Sequence, residues 1–208
     1  MTFVSRDACA SRNLDAMHVR ADSLDDELGA TVDAAMELAN VLLDASDADE
    51  PVDVAVRLRA VLVDHDFLRA RGATVGEMAA LADRCVPLAR LMSTLPDAEL
   101  ADAVDSVNIE LGSCAIAPSL SAHDGFALHI HWTSATTPFA HQVAVDLLMA
   151  IGQTLCDHGT RRFGRCAADD CGHLFYDSTK NRSRRFCADP RCASRTHTAA
   201  HRARRASE

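Results

Sequence analysis

The stretch from Cys166 to Arg195, CAADDCGHLFYDSTKNRSRRFCADPRCASR, decides how the C-terminal part of this chain folds. It contains two C-x4-C pairs, Cys166 with Cys171 and Cys187 with Cys192, and fifteen residues lie between the pairs. Two close pairs on either side of such a loop can bring four thiolates around one tetrahedral Zn²⁺. Four protein ligands leave no open position for water or substrate, so the sequence predicts one structural zinc.

Disulfide bonds and a mixed Cys/His site are the alternatives to a four-cysteine zinc site. The chain has 208 residues, enough to bury its own core without disulfides, and its N-terminus lacks an apolar signal segment. We therefore expect a cytoplasmic protein, in which paired cysteines bind metal more often than each other. His197 and His201 are the other possible ligands, but His197 follows Cys192 too closely for a Cys₂His₂ finger.

The remaining cysteines and two further histidines are predicted to have no metal-binding role. Cys85, Cys114 and Cys156 lie among apolar residues and are expected to be small buried side chains. His129 and His131 are two residues apart. We expect them to be polar surface side chains or a pair whose hydrogen-bonding groups are satisfied.

Charge divides the chain into two unlike parts. Residues 161–208 contain twelve Lys or Arg against five Asp or Glu, whereas residues 1–160 contain nine against twenty-five. A basic module attached to an acidic body indicates an anionic partner for the module, or attraction between the module and its own body. Lys180 is the only lysine, and the planar guanidinium of arginine suits phosphate oxygens.

The body, residues 1–160, is predicted to be mostly helical because its apolar residues recur at helical spacing. A T-x-x-E capping box at Thr74 and Glu77 opens one helix, which Pro87 is expected to break or kink. Predicted starts of the other helices are Ser23, with an end near Ala45; Pro51; Pro96, with an end near Glu110; and Thr137–Pro138, with an end at Gly159.

One segment of the body has strand period instead. Residues 126–132 alternate apolar and polar or small side chains, and Asp124-Gly125 before them is typical of a turn. Residues 114–120 are the expected partner strand. The predicted fold class is therefore mainly α with a small β-hairpin element: a helical body over 1–160 with a β element near 114–132, then a Cys₄ zinc module over 161–208 that ends in a basic helix.

Sequence motifs favour no catalytic function. The chain contains no phosphate-binding glycine loop, no nucleophile elbow, no H-E-x-x-H and no defensible pair of nucleophile and base. No apolar run approaches the roughly 20 residues of a membrane span. We expect neither an enzyme nor a membrane protein.

The quoted stretch closely resembles the CGNR zinc finger of bacterial proteins that have an N-terminal domain called ABATE. Phe186 stands where the family usually has Trp, and Ala193 and Ser194 replace the Gly-Asn of the signature. The resemblance implies a stress-linked transcription regulator with an ABATE-like body. The residues that match in type are Leu174, Phe175, Asp177, Ser178, Arg184, Arg185, Cys187, Cys192 and Arg195.

The module also has a predicted binding surface. A helix from about Ser194 to Arg205, fixed by the zinc, is expected to present arginines to a DNA groove or phosphate row. Asp177 is expected to order the loop, and Phe163, Leu174, Phe175 and Phe186 to form an apolar cluster around the zinc. A protein–protein adaptor is the alternative function, and a small-molecule effector in the body and a homodimer remain open. The predicted nucleic-acid contacts are Arg184, Arg185, Arg195, Arg202, Arg204 and Arg205.

Overall fold

The computed structural model describes the backbone of residues 14–47, 53–121 and 129–206, and the side chains of 27–46, 53–120 and 129–205. Within these ranges the chain is mainly helical, as predicted, and it contains two small antiparallel sheets, of which the sequence predicted only the one near residues 114–132. The helices are α1 (Leu14–Asp47), α2 (Val54–Asp64), α3 (Val75–Thr94), α4 (Leu100–Gly112), α5 (Phe139–His158) and α6 (Pro190–Ala206). The strands are β1 (Ser119–Ser121), β2 (His129–His131), β3 (Phe163–Arg165) and β4 (Leu174–Tyr176).

Local signals set several of the helix ends. The backbone N–H of Glu77 donates to Thr74 Oγ1 at 3.2 Å, and the N–H of Thr74 donates to Glu77 Oε2 at 2.7 Å, which confirms the capping box. Pro138 and Gly159 flank α5 as predicted, and Gly159 has a φ of 62° that glycine adopts readily. Asp53 caps α2, since Asp53 Oδ1 accepts from the N–H of Val56.

Three of the predicted helix limits are wrong. The first helix begins at Leu14, well before Ser23. α3 continues through Pro87 to Thr94, so Pro87 does not break the helix, and the alternative of a kink stays a prediction. Pro96 lies in a short 3₁₀-helix, Leu95–Asp97, and α4 begins only at Leu100. A proline inside a helix removes one backbone hydrogen bond, because it has no N–H. Packing of the apolar face of α3 outweighs the loss of this bond.

The core of the body lies between α1, α3 and α5, with α2 and α4 packed around them. By length and composition, and contrary to expectation, α5 matches a membrane-spanning helix, with a mean hydropathy of 1.2. Most of α5 is buried in the body, however, so it is the central core helix. Its buried residues include Leu147 and Ile151.

The isolated cysteines of the body follow the prediction only in part. Cys85 is buried in α3 as expected, but Cys114 is half-buried and Cys156 is exposed. Cys156 lies on α5 directly after the buried Leu155, so helical rotation turns its side chain away from the core. Cys9 lies outside the described residues.

The predicted hairpin is present but short. β1 and β2 pair antiparallel with Leu120 opposite Ile130, and the N–H of Ala117 donates to the carbonyl oxygen of Trp132 just beyond the sheet. The Nε2 atoms of His129 and His131 lie 3.1 Å apart, so the two rings form a pair as expected. The predicted turn at 124–125 lies outside the described residues.

The second hairpin, β3 and β4, joins the body to the cysteine region. Phe163, Leu174 and Tyr176 belong to the core of the body, where β4 packs against α1. The predicted cluster around the zinc is therefore wrong for Phe163 and Leu174, because strand alternation turns Leu174 and Tyr176 toward α1. The intervening Phe175 instead covers Gly164, where an added Cβ would lie 2.6 Å from the ring.

Candidate metal centre and basic helix

The four predicted ligands converge on one point. The Sγ atoms of Cys166, Cys171, Cys187 and Cys192 all lie within 4.8 Å of one another. The Cys171–Cys187 and Cys187–Cys192 sulfur pairs are each 3.8 Å apart. A tetrahedral ion with Zn–S bonds of about 2.3 Å requires sulfurs about 3.8 Å apart, whereas a disulfide requires about 2.05 Å. The donor set thus fits one structural Zn²⁺ and not a pair of disulfides.

Backbone hydrogen bonds hold the two cysteine pairs in place. The N–H of Cys166 donates to the carbonyl oxygen of His173, which returns the chain from the first pair into β4. The N–H of Ala167 donates to the carbonyl oxygen of Arg185 at 2.8 Å and ties the first pair to the second. Cys192 lies in the first turn of α6, so this helix starts within the metal site rather than after it at Ser194 as predicted.

The pKa values of the thiols are shifted in different directions. Burial raises the pKa of Cys187, and it raises that of Cys192 to about 11. For Cys166, hydrogen bonds from the backbone N–H groups of Cys187 and Ala168 outweigh burial and lower the pKa. Zn²⁺ binds thiolates, so loading of the site must displace protons, and the ion supplies the positive charge that stabilises four thiolates together.

Arg195 is an outer partner of the metal site. Its Nη2 atom lies 3.6 Å from Cys192 Sγ and 3.0 Å from Oδ1 of Asp170, the residue directly before Cys171. N–H groups directed at a ligating sulfur orient the ligand and offset its charge. Arg195, predicted as a nucleic-acid contact, is thus engaged with the metal site, although half of its side chain remains exposed.

Asp177 orders the loop between the two cysteine pairs, as predicted. Its carboxylate accepts from the N–H and hydroxyl groups of Thr179 and from the backbone N–H of Arg184. Burial alone would raise the pKa of Asp177, but these bonds, led by the one from the Thr179 hydroxyl, outweigh burial and hold the pKa below its usual value. The loop therefore keeps one shape at neutral pH, with the carboxylate ionised.

Arg184 is directed toward the body. Its Nη1 atom donates to Asp33 Oδ1 on α1 at 3.0 Å and to the carbonyl oxygen of Tyr176, and its Nε donates to the carbonyl oxygen of Phe186. The guanidinium also lies 5.4 Å from the ring centroid of Phe175. These contacts engage Nε and Nη1 of this predicted nucleic-acid residue within the chain.

Other predicted contact residues are on the surface. Arg185 is exposed and lies 5.9 Å from the ring of Phe186, which in turn meets His197 edge-on. Arg202, Arg204 and Arg205 are exposed near the end of α6. No other helix or strand among the described residues packs extensively against α6. The module therefore presents its basic helix to solvent.

Among the described residues, an ion pair and a histidine–carboxylate hydrogen bond connect the basic module to the acidic body in addition to Arg184–Asp33. Arg165 lies 3.1 Å from Asp97, and Arg165 also donates to the carbonyl oxygen of Ser93. His173 Nε2 lies 2.8 Å from Asp44 Oδ1 on α1. Part of the charge asymmetry in the sequence is thus used within the chain.

Sequence reasoning missed Asn40, which is buried in α1 and bonded to the backbone of Leu174 on β4. A single polar residue on an apolar helix face was the only available signal. It also missed Asp33, whose pKa burial raises despite the adjacent Arg184. Both residues hold the hairpin that precedes the second cysteine pair.

The fold and the site together define a helical protein with a C-terminal zinc module closed by four cysteines. Residues 162–205 match the family model of the CGNR zinc finger, as the resemblance implied. No curated protein matches the chain. The match does not reach the body, for which the ABATE-like assignment and the boundary at residue 160 stay predictions.

Proposed function

We propose that this chain is a transcription regulator that binds duplex DNA through α6. The observation that carries the proposal is a basic helix anchored at its first turn by a buried zinc ligand, Cys192, and exposed from His197 to Arg205. A helix held at one end and open along its length is suited to a major groove or a row of phosphates. The fold of the module supports a reducing, cytoplasmic location.

Four of the five arginines of α6 are arranged along one side. Arg191, Arg195, Arg202 and Arg205 are separated by four, seven and three residues, which places them within one narrow face of an α-helix. Arg191 pairs with Asp189 and Arg195 with Asp170 at the anchored end. Arg202 and Arg205 have no acidic partner among the described residues, so phosphate contacts concentrate there.

The proposed surface differs in part from the one expected from sequence. Arg184 is left out because its Nε and Nη1 already donate to Asp33 and two carbonyl oxygens and its side chain is mostly buried. Arg185 and Arg204 remain as flanking contacts, with Arg204 on the other side of α6. Arg195 mainly positions the first turn of the helix.

An adaptor function is the second candidate, and the ion pairs between module and body favour it. Those pairs use Arg165, His173 and Arg184, which belong to the hairpin and the loop. They leave α6 uncovered, so intramolecular attraction accounts for one side of the module and not for the basic helix. An acidic protein surface on α6 is therefore the alternative to DNA.

We propose no catalytic role for the body. Burial raises the pKa of Asp146 on α5 to about 6, but no hydrogen-bonded nucleophile or base accompanies this carboxyl in the described part of the chain. An isolated carboxyl of this kind is better explained by helix packing than by acid–base chemistry.

The proposal is tested by DNA titrations of the full zinc-loaded chain at several salt concentrations. Wild type is compared with Arg202→Gln/Arg205→Gln and with a matched control, Arg71→Gln/Arg90→Gln, which removes two exposed arginines of the body. We expect the log–log salt slope of the first variant to become shallower by about two, because each arginine neutralises about one phosphate. The control should keep the wild-type slope.

The outcome separates the two candidate functions. Equal slopes for wild type and the α6 variant, or no binding of DNA at low salt, would reject the DNA proposal. Binding of a polyanionic protein that the same α6 variant loses would then favour the adaptor.

A further inference from the structure

A second basic feature lies away from the arginine face of α6, at the end of α5. A surface cavity of about 190 Å³ is lined by His158, Arg161, Arg162 and Arg182. No acidic side chain belongs to its lining. Three guanidinium groups and an imidazole thus surround one small space.

The chain path explains why these cations meet. Gly159 ends α5 with a φ of 62°, and the reversal brings Arg161 beside His158, whose carbonyl oxygen accepts from Arg161 Nε at 3.1 Å. Arg182 approaches from the loop, where its N–H donates to the carbonyl oxygen of Thr179. Arg182 has a φ of 49°, a conformation that residues other than glycine seldom adopt.

Arg162 is held rigidly in the cavity wall. Its Nη1 atom donates to the carbonyl oxygens of Asp177 and Thr179, at 2.6 and 3.0 Å. Its buried Nε has no hydrogen-bond partner in the described part of the chain. Carbonyl oxygens satisfy donors but bring no countercharge, so the charge of Arg162 remains available to a ligand.

The Asp177 carboxylate interacts electrostatically with Arg162 and offsets part of its charge, but no acidic side chain lines the cavity beside the three arginines. The carboxylate of Asp177 accepts hydrogen bonds from the backbone N–H groups of Thr179 and Arg184. The carboxylate of Asp157 accepts a hydrogen bond from the side chain of Gln153. The C-terminal end of α5 contributes a partial negative charge of about one half, which Arg161 offsets. The cavity therefore remains electropositive.

We propose that this cavity is a binding site for a phosphate group. Its volume is below the roughly 300 Å³ at which cofactor and drug pockets begin, so a single phosphoryl group suits it and a whole cofactor does not. One planar guanidinium group can donate two parallel hydrogen bonds to the oxygens of a phosphate. The three arginines of the lining offer such groups.

The phosphate has two possible sources. One is the backbone of DNA bound by α6, and this version rests on the proposed function. The other is a small phosphorylated ligand or inorganic phosphate, and this version does not. Both sources use the same chemistry, so the experiment has one arm for each.

The first arm measures the melting temperature of the full zinc-loaded chain in inorganic phosphate, with chloride at equal ionic strength as reference. We expect a saturable rise in phosphate. Arg161→Gln/Arg182→Gln should weaken phosphate binding at least about tenfold, because two charge-assisted contacts are removed. Arg162 is not changed, since it supports the loop. Lys180→Gln, an exposed residue of the same loop, should retain the rise.

The second arm repeats the DNA titrations with Arg161→Gln/Arg182→Gln. If the site holds a backbone phosphate, DNA affinity falls and the salt slope becomes shallower, whereas the Arg71→Gln/Arg90→Gln control is unchanged. A rise in melting temperature with phosphate, without any binding of DNA, would support the phosphate site and reject the proposed function. DNA binding through α6, with neither a phosphate response nor an effect of the cavity variant, overturns the site alone. A phosphate response that persists in the cavity variant also overturns it.

Discussion

The side chain of Asn40 pairs with both backbone polar groups of Leu174, 134 residues later in the chain. The N–H of Leu174 donates to Asn40 Oδ1 at 2.7 Å, and Asn40 Nδ2 donates to the carbonyl oxygen of Leu174 at 2.9 Å. The carboxamide thus takes the place of a neighbouring strand at the edge of β4. This contact sets the position of the β3–β4 hairpin on α1.

Replacement of Asn40 by Ala should lower the free energy of unfolding by about 2 kcal/mol, because a buried donor and a buried acceptor lose their partners. Urea denaturation monitored by circular dichroism measures the change. Asn108→Ala, at an exposed position on α4, is the matched control and should stay within about 0.5 kcal/mol of wild type. Similar losses in the two variants would contradict this assignment.

Replacement of Cys187 by Ser should abolish zinc binding, since three ligands do not close the site. Native mass spectrometry should find one zinc in wild type and in Cys156→Ser, whose exposed thiol lies outside the cluster, and none in Cys187→Ser. Because the β3–β4 hairpin is shared with the core, the melting temperature of the body should also fall. Full zinc occupancy in Cys187→Ser would refute the assignment of the ligands.

Arg195→Gln should release zinc faster to a competing chelator, by about tenfold, because Cys192 loses its N–H partner. Arg205→Gln removes the same charge from the same helix without touching the metal site and should leave the rate unchanged. Transfer to a chromogenic chelator measures both rates. Equal rates would show that Arg195 does not position the ligand.

His65 and Glu37 should make the stability of the body depend on pH. The hydrogen bond to Glu37, 3.4 Å away, raises the pKa of His65 and outweighs burial. A raised pKa means that the stabilising contribution is complete below the unfolded value of about 6.5 and is lost as pH rises through the folded value. Glu37→Gln should therefore lower the urea midpoint more at about pH 6 than at about pH 9.

The control for this pH dependence is Glu27→Gln, an exposed substitution on the same helix. It should lower the midpoint by a small amount that does not differ between the two pH values. An equal loss at both pH values for Glu37→Gln would exclude the ion pair as the cause.

Sequence patterns predicted the features that depend on neighbouring residues. The spacing of Cys166, Cys171, Cys187 and Cys192 sufficed for the metal site, because each pair closes its own turn. The capping box at Thr74 and the glycine at Gly159 likewise act within a few residues. The mainly helical class followed from periodicity along each helix.

Contacts between distant segments could not be predicted in this way. Nothing near Arg184 in the sequence indicates that it meets Asp33, and the same is true of Asn40 and Leu174. The apolar residues of the hairpin were assigned to the zinc because both lie in the same short stretch. Whether Phe163 packs on the metal site or on α1 depends on the tertiary arrangement. That arrangement cannot be derived from the spacing of residues in the sequence.

Because α6 is anchored at one end, a small tilt at the metal site displaces its far end by several ångströms. The helix has 17 residues and is anchored near Cys192, so its last residue lies about 21 Å from the anchor at 1.5 Å per residue. A tilt of about 10° at the metal would move Arg205 and the helix tip by nearly 4 Å, roughly the spacing of one base-pair step. Small distortions among four sulfur atoms would thus be magnified at the far end of the helix, where, in the proposed complex with DNA, they would decide which phosphates its arginines reach.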